Sequence, residues 1–153
     1  MNITFLSIGK TTDKQVAAGC LLYHKRIKKY ISFDWKQTAD IKSLPPNEMK
    51  IREGELIKKH IEKGDHIILL DETGKQFTSK EFAGYISQKQ MENKKKLVFV
   101  LGGAYGFSDE IYKLANEKIS LSKMTFPHQM VRLIFSEQLY RAFTIIKNEP
   151  YHH

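Results

Sequence analysis

Three glycines in the second half of the chain are the first candidates for a ligand site. Gly102, Gly103 and Gly106 follow an apolar run at residues 96–101, which predicts a buried strand, and they precede a predicted helix. Glycine lets a backbone turn sharply and approach a ligand closely, and the start of a helix offers free N–H groups. The spacing does not match the G-x-G-x-x-G fingerprint of dinucleotide-binding folds. A ligand site and an ordinary tight turn therefore explain these glycines equally well.

The segment at residues 121–128 (LSKMTFPH) is more apolar than an ordinary surface loop. Apolar loop residues with free backbone groups can enclose an adenine ring and bind its polar edge, although packing against the core explains the same composition. His128 and Arg132 lie one turn apart at the start of the following helix, where a positive pair can hold an anion. Either residue alone is more often a surface or packing residue.

The chain ends in the sequence EPYHH, in which Tyr151 and His152 offer an aromatic face and a titratable nitrogen. Both groups can stack on or hydrogen-bond a nucleobase, while the remnant of a purification tag would also explain the two terminal histidines. The histidines of the chain show no ligand spacing with carboxylates or cysteine, so no metal site is predicted. Cys20 falls on an apolar helix face and is expected in the core.

The elements that must position these residues alternate between strands and helices. Strands are predicted at residues 1–8, 30–39, 66–70, 96–101 and 119–121, and the helices after the first four are capped by Asp13, Asn47, Ser79 and Ser108. A long last helix is expected from residue 127 to about residue 147. This alternation predicts an α/β fold with a mostly parallel sheet and helices on both faces. No repeat or linker interrupts the pattern, so residues 1–153 are expected to form one domain.

The last helix is predicted to be apolar on two sides. One arc contains Val131, Ile134, Phe135, Ala142, Ile145 and Ile146, and Leu133 and Tyr140 lie almost opposite to it. A helix that is apolar on two sides must bury both of them. In so small a chain, the second side predicts contact with another subunit, although loops of the same chain could cover it instead.

The composition narrows the class of partner and the compartment. The net charge of +8, from 25 Lys and Arg against 17 Asp and Glu, favours a polyanionic partner such as nucleic acid, while a generally basic surface is the alternative. No apolar run approaches the roughly 18–20 residues of a membrane span, and the first residues lack the features of a signal peptide. A single cysteine excludes an internal disulfide, which predicts a reducing cytoplasm.

Four segments together resemble the RlmH (YbeA-like) family of SPOUT-class methyltransferases. They are LGGAYG at residues 101–106, the loop at residues 121–128, EQLYRA at residues 137–142, and PYH at residues 150–152. The resemblance runs nearly end to end. It implies methylation of N3 of a pseudouridine in large-subunit (23S) ribosomal RNA, on assembled ribosomal particles in the bacterial cytoplasm. It also implies S-adenosylmethionine as methyl donor, no metal, a C-terminal trefoil knot, and a homodimer with the cofactor pocket near the subunit interface.

The resemblance also implies which residues form the site. Cofactor contacts fall on Leu70, Gly103, Leu121, Ser122, Lys123, Met124, Thr125 and Phe126, while Gly102 and Gly106 shape the pocket. The residues that fall near the methyl group and the target base are Arg132, Arg141, Tyr151 and His152. A pseudouridine N3–H is a weak acid, so either a base removes its proton or a cation stabilises the anion. Histidine can do the first and arginine only the second, and the group that takes the proton stays open.

Two other functions explain part of the sequence. A non-catalytic, basic RNA-binding factor on the ribosome would account for the charge, but not for a glycine turn combined with an apolar loop. A nucleotide-binding enzyme of the doubly wound type is compatible with the fold class, but the glycine spacing and the late position of the glycine strand count against it. Binding of S-adenosylmethionine would distinguish the methyltransferase from the binding factor.

Overall fold

The computed structural model describes residues 1–153 and contains one five-stranded sheet. The strands are β1 (Asn2–Ser7), β2 (Ser32–Gln37), β3 (His66–Gln76), β4 (Lys96–Leu101) and β5 (Glu117–Ser120). The helices are α1 (Lys14–Ile27), α2 (Pro46–Lys58), α3 (Ser79–Met91), α4 (Asp109–Leu114) and α5 (His128–Ile146). The strand order is β2-β1-β4-β3-β5, and every strand pair is parallel. The predicted α/β class is confirmed, with a sheet that is parallel throughout.

Helices cover both faces of the sheet, as the apolar strands predict. Alternate residues of β1 point to opposite faces: Ile3 and Phe5 join the core beneath α1, α3 and α5, whereas Leu6 joins the core beneath α2 and α4. Burial on both faces is the normal state of a parallel sheet, because the connecting helices must lie on its faces. The sheet therefore stands as a rigid middle layer between two layers of helices.

Several predicted boundaries differ from the structure. β2 is shorter than predicted, and β3 continues beyond its apolar part to Gln76, where it pairs with β5. α4 ends at Leu114 rather than near residue 117, because Ala115 is already extended and β5 begins two residues later. These boundaries depend on pairing with a neighbouring strand, which cannot be predicted from the local sequence.

Two of the predicted N-caps are confirmed and two are wrong. The side chains of Asp13 and Ser108 accept backbone N–H groups from the first turns of α1 and α4. Asn47 caps nothing, because α2 begins one residue earlier, at a proline whose fixed φ suits the first turn of a helix. Ser79 is likewise not the cap of α3, since Thr78 before it has the extended backbone and accepts the N–H.

The face of α5 that meets the sheet is rotated from the predicted arc, because Val131, Ile134, Ile145 and Ile146 are only partly buried. Its buried residues are Arg132, Phe135, Ser136, Leu139, Ala142, Phe143 and Thr144. The same chain covers the second apolar side. Leu133 packs so closely on Gly19 of α1 that a Cβ at Gly19 would lie 2.8 Å from Leu133 Cδ1. Tyr140 packs against Tyr151 of the tail, with their ring centroids 4.8 Å apart. Because α1 and the tail already cover much of this side, the two-sided helix is only indirect support for a dimer.

Two features stay predictions at this level, namely the homodimer and the trefoil knot. Cys20 is buried, as predicted. None of the helices combines the length and the apolar character that a membrane span requires.

Replacement of Thr78 by alanine should destabilise the fold, and replacement of Asn47 should not. Thr78 and Glu81 form a reciprocal capping box at the start of α3, so Thr78→Ala should cost about 1 kcal/mol of unfolding free energy. Asn47→Ala is the matched control at a position that the sequence marks equally well as a cap. Urea unfolding followed by circular dichroism measures both variants, and equal stability of the two would contradict this assignment.

Candidate functional site

A cavity of about 410 Å³ opens at the carboxyl ends of β3, β4 and β5. In a parallel sheet the carboxyl ends of neighbouring strands meet at one edge, where ligands of α/β proteins commonly bind. The walls come from the segment after β3, the glycine turn after β4, the loop after β5 and the first turn of α5. The volume falls in the usual range for a small organic ligand.

Nearly all residues that the resemblance assigns to the cofactor meet at this cavity. Its lining includes Leu70, Gly102, Gly103, Gly106, Leu121, Ser122, Met124, Thr125 and Phe126. Lys123 belongs to the same loop but is exposed and does not line the cavity. Segments that are about 50 residues apart in the sequence thus form one concave surface.

The glycine turn leaves little room for side chains. A Cβ at Gly102 would lie 2.9 Å from the Phe107 ring, and a Cβ at Gly103 would overlap the carboxylate of Glu53 on α2. Gly106 has a φ of +80°, in the left-handed region that favours glycine, and its N–H donates to the Gly103 carbonyl at 3.2 Å. These glycines allow the turn to pass closely between the cavity and the layer formed by α2 and α4.

The loop after β5 is shaped by its own serines. Ser120 Oγ donates to the Ser122 carbonyl at 3.0 Å, and Ser122 Oγ accepts the Met124 N–H at 2.9 Å. These bonds turn the loop back over the cavity, where Leu121 and Phe126 provide apolar surface. The loop can therefore form a wall against a flat ring without extending far into solvent.

Asp71 lines the cavity but is not among the residues that the sequence predicts. Pairing of β3 with β5 shifts register between Leu70 and Lys75, and Asp71 lies in this bulge. Its carboxylate accepts the Thr73 N–H at 2.8 Å and the Tyr112 hydroxyl at 2.5 Å. Burial tends to raise the pKa of Asp71, but these hydrogen bonds outweigh it and hold the pKa below its usual value. The signal in the sequence is a carboxylate placed directly after an apolar strand.

The charge of the cavity is negative. Asp71 and Glu72 line it, and no lysine or arginine does. His128 also lines it, but burial and the nearby charge of Arg132 lower the pKa of His128, so the imidazole is neutral at physiological pH. A cavity of this charge suits a cationic ligand and disfavours a phosphate-bearing nucleotide.

The predicted base-side residues Arg141, Tyr151 and His152 form a second cluster, in which Glu137 is the central acceptor. Arg141 Nη2 donates to Glu137 Oε1 at 2.6 Å, and the Tyr151 hydroxyl donates to the same oxygen at 3.0 Å. Arg141 Nη1 lies 3.2 Å from His152 Nδ1. Burial, followed by hydrogen bonds to Tyr23 and Glu137, raises the pKa of Tyr151 well above its usual range, so its phenol stays protonated. The tail is thus held in place by α5.

The second cluster is separated from the cavity within one chain. Val131 lines the cavity, and Arg141 follows it by ten residues along α5, which corresponds to about 15 Å of helix. Neither Arg141 nor Tyr151 nor His152 lines the cavity. The structure therefore brings the three predicted residues to each other, but not to the cofactor residues of the same chain.

Arg132 lies outside both clusters. Its side chain is buried, and its Nη atoms donate to the Ile8 carbonyl at 2.6 Å, the Gly9 carbonyl at 3.0 Å and Thr11 Oγ1 at 2.8 Å. These contacts attach the loop after β1 to the start of α5. The charge of Arg132 is thus engaged by its own chain, and the role in charge stabilisation stays a prediction.

Comparison with known proteins places the chain in a family. Residues 1–152 match the model of the family described as predicted SPOUT methyltransferases. The chain belongs to this family. A protein of Christiangramia forsetii named ribosomal RNA large subunit methyltransferase H is 53% identical over 156 aligned positions, covering 100% of this chain and 99% of the relative. A protein of the same name from Parabacteroides distasonis is 51% identical, with the same coverage.

Two solved structures share the fold. TrmJ of Zymomonas mobilis superimposes with a TM-score of 0.57 at 12% identity, covering 100% of this chain and 73% of that one. A probable methylase family protein of Haemophilus influenzae gives a TM-score of 0.53 at 17% identity, covering 96% of this chain and 66% of that one. At these identities the likeness concerns the arrangement of strands and helices alone.

Replacement of Arg132 should destabilise the protein in the absence of any ligand. Arg132→Met keeps most of the side-chain volume but leaves the buried carbonyls of Ile8 and Gly9 without donors, which should cost about 2–4 kcal/mol of unfolding free energy. Arg52→Met is the control, because Arg52 forms an exposed pair with Glu55 that is worth at most about 1 kcal/mol. Urea unfolding measures both. Wild-type stability of Arg132→Met would show that these hydrogen bonds do not support the fold.

Proposed function

We propose that this protein transfers a methyl group from S-adenosylmethionine to N3 of a pseudouridine in the RNA of the large ribosomal subunit, as a homodimer in the bacterial cytoplasm. The observation that carries the proposal is the negatively charged, partly apolar cavity at the glycine turn, in a member of a methyltransferase family. The names of the relatives support the choice of ribosomal RNA. The resemblance of the segments at residues 101–106, 121–128, 137–142 and 150–152 supports the choice of pseudouridine N3.

The cavity has the properties that S-adenosylmethionine requires. Leu70, Leu121 and Phe126 offer apolar walls for an adenine ring. Asp71 and Glu72 supply acceptors for ribose hydroxyls and negative charge for the positive groups of the cofactor. When bound, the sulfonium of S-adenosylmethionine supplies an electrophilic methyl group. The protein must then align the nucleophile and allow its proton to leave.

The tail cluster is suited to favouring the N3 anion. Arginine only donates hydrogen bonds, so the contact from Arg141 requires His152 Nδ1 to be the acceptor, and the neutral imidazole then carries its proton on Nε2. The Tyr151 hydroxyl already donates to Glu137 and so holds the tail in place. In this arrangement His152 Nε2–H and the remaining N–H groups of Arg141 stabilise negative charge on the target base by hydrogen bonding, and the N3 proton leaves to water. With the cofactor bound, the anionic N3 would accept the methyl group as the bond between that methyl and the sulfonium sulfur breaks, which would leave S-adenosylhomocysteine.

A second copy of the chain would bring the two halves of the site together. Within one chain the tail cluster is about 15 Å of helix away from the cavity. A symmetric dimer in which the tail of one subunit faces the cavity of its partner creates two complete sites from the same contact. The separation along α5 therefore supports the homodimer better than the apolar pattern of that helix does.

The alternative of a non-catalytic RNA-binding factor explains less. The net charge of +8 fits both functions. A pure binding protein does not require a concave site in which Asp71 and Glu72 are the charged lining residues, because such charge repels RNA phosphates.

Two inactive variants should complement each other if the site is shared between subunits. Gly103→Val should disrupt the cavity, because a side chain there overlaps the carboxylate of Glu53 behind the turn and forces the turn to move, and deletion of residues 151–153 should remove the tail donors. Each variant alone should have near-background methyl transfer. Refolded as an equimolar mixture, they should recover roughly a quarter of wild-type activity, because half of the dimers carry one intact site. A single-turnover assay on undermethylated ribosomes at saturating cofactor measures this.

The controls separate binding from chemistry. Calorimetry should show near-normal affinity of the tail deletion for S-adenosylmethionine, because the tail does not line the cavity. Deletion of His153 alone should leave activity unchanged. Failure of the mixture to recover activity, with heterodimers demonstrated by mass spectrometry, would contradict a site shared between subunits. Full activity of the tail deletion alone would remove the tail from the mechanism.

The substrate is tested in the cell. Mass spectrometry of large-subunit ribosomal RNA from a strain that lacks the gene should show loss of one N3-methylated pseudouridine, and a plasmid copy should restore it. A plasmid copy with Gly103→Val should not, because the turn that lines its cavity is displaced by the clash with Glu53. An unchanged modification pattern in the deletion strain would refute the proposed substrate.

A further inference from the structure

Glu53 is a buried acidic residue with one carboxylate oxygen that has no partner. It lies on α2 with 6% of its surface exposed, and its Oε2 atom is buried without a hydrogen bond. No lysine, arginine or histidine forms an ion pair with it. A buried carboxylate without a counter-charge is unfavourable for a folded protein.

The carboxyl group of Glu53 lies directly behind the glycine turn. It is so close to Gly103 that a Cβ on that residue would overlap it. Gly54 allows this approach, since a Cβ there would lie 3.0 Å from Ser108 Oγ. Burial raises the pKa of Glu53, while the Gly103 N–H acts in the opposite direction. The packing of α2 therefore fixes the carboxyl group against the back of the turn that lines the cavity.

Two cations of α2 are engaged elsewhere, and Lys50, three residues before Glu53, forms no ion pair with it. Arg52 lies 3.4 Å from Glu55, and Lys58 lies 2.8 Å from Glu110. On the other side of the turn, the cavity contains no lysine or arginine. A ligand in the cavity is thus the group that can bring positive charge close to Glu53.

We propose that Glu53 is a positioning residue that acts as the buried counter-charge of a cationic cofactor, through the backbone of Gly103. This inference rests on the proposed use of S-adenosylmethionine, whose sulfonium and ammonium groups are positive. The carboxylate packs against the back of the turn and favours positive charge in the cavity without touching the ligand. Its unfavourable burial in the free protein is offset when the cofactor binds.

The test compares a charged and an uncharged ligand in the intact protein. Glu53→Gln keeps the size of the side chain and an acceptor oxygen for Gly103 but removes the charge. Glu55→Gln is the matched control, because Glu55 lies on the same helix and is exposed. Calorimetry at neutral pH measures the affinities for S-adenosylmethionine and for uncharged 5′-methylthioadenosine. Thermal unfolding of each free variant is measured in parallel.

Loss of the charge at Glu53 should selectively weaken binding of the cationic ligand. We expect Glu53→Gln to lower the affinity for S-adenosylmethionine on the order of tenfold and that for 5′-methylthioadenosine by less than about twofold. The free variant should unfold at the same or a higher temperature than the wild type, and Glu55→Gln should behave as the wild type. An equal loss of affinity for both ligands, or no loss for either, would overturn the role of Glu53 as a counter-charge. Absence of binding by the wild type would instead overturn the proposed function, and this inference with it.

Discussion

Parallel pairing of β3, β4 and β5 places three carboxyl ends at one edge of the sheet, and the candidate site depends on this arrangement. The glycine turn leaves the sheet after β4, the serine-shaped loop leaves it after β5, and Asp71 stands at the bulge of β3. None of the three segments could enclose a ligand alone. The apolar strands hold them in register because helices on both faces exclude water from the sheet.

The glycine turn is constrained from two sides. The Phe107 ring packs closely against Gly102, and the Glu53 carboxylate packs closely against Gly103. The turn therefore has little freedom to move away from the cavity. A preorganised backbone loses less entropy when a ligand binds. Burial of the unpaired Glu53 carboxyl behind this turn lowers the stability of the free protein, and the proposed gain is a preference for one kind of ligand.

Charge divides the functional residues into two groups. Carboxylates dominate the cavity, whereas hydrogen-bond donors dominate the tail cluster around Arg141. A positive methyl donor is favoured by surrounding carboxylates, and a target base that becomes negative is favoured by hydrogen-bond donors. Placing them at different ends of α5 keeps them apart in each chain, and a symmetric contact between two chains can then bring them together. Arg132 belongs to neither group, because its guanidinium is used to attach the loop after β1 to α5.

Much of this protein can be read from its sequence, because some features depend only on neighbouring residues. The alternation of strands and helices, the burial of both faces of β1, the caps at Asp13 and Ser108, and the glycine turn all follow from local patterns. The resemblance to a family then located nine of the twenty residues that line the cavity. The order of the strands, the bulge that exposes Asp71, the carboxylate of Glu53 behind Gly103 and the carbonyl partners of Arg132 depend instead on contacts between distant segments. A buried acid or arginine looks like any surface charge in the sequence, since only the packed chain decides which charges lose their water and which atoms replace it.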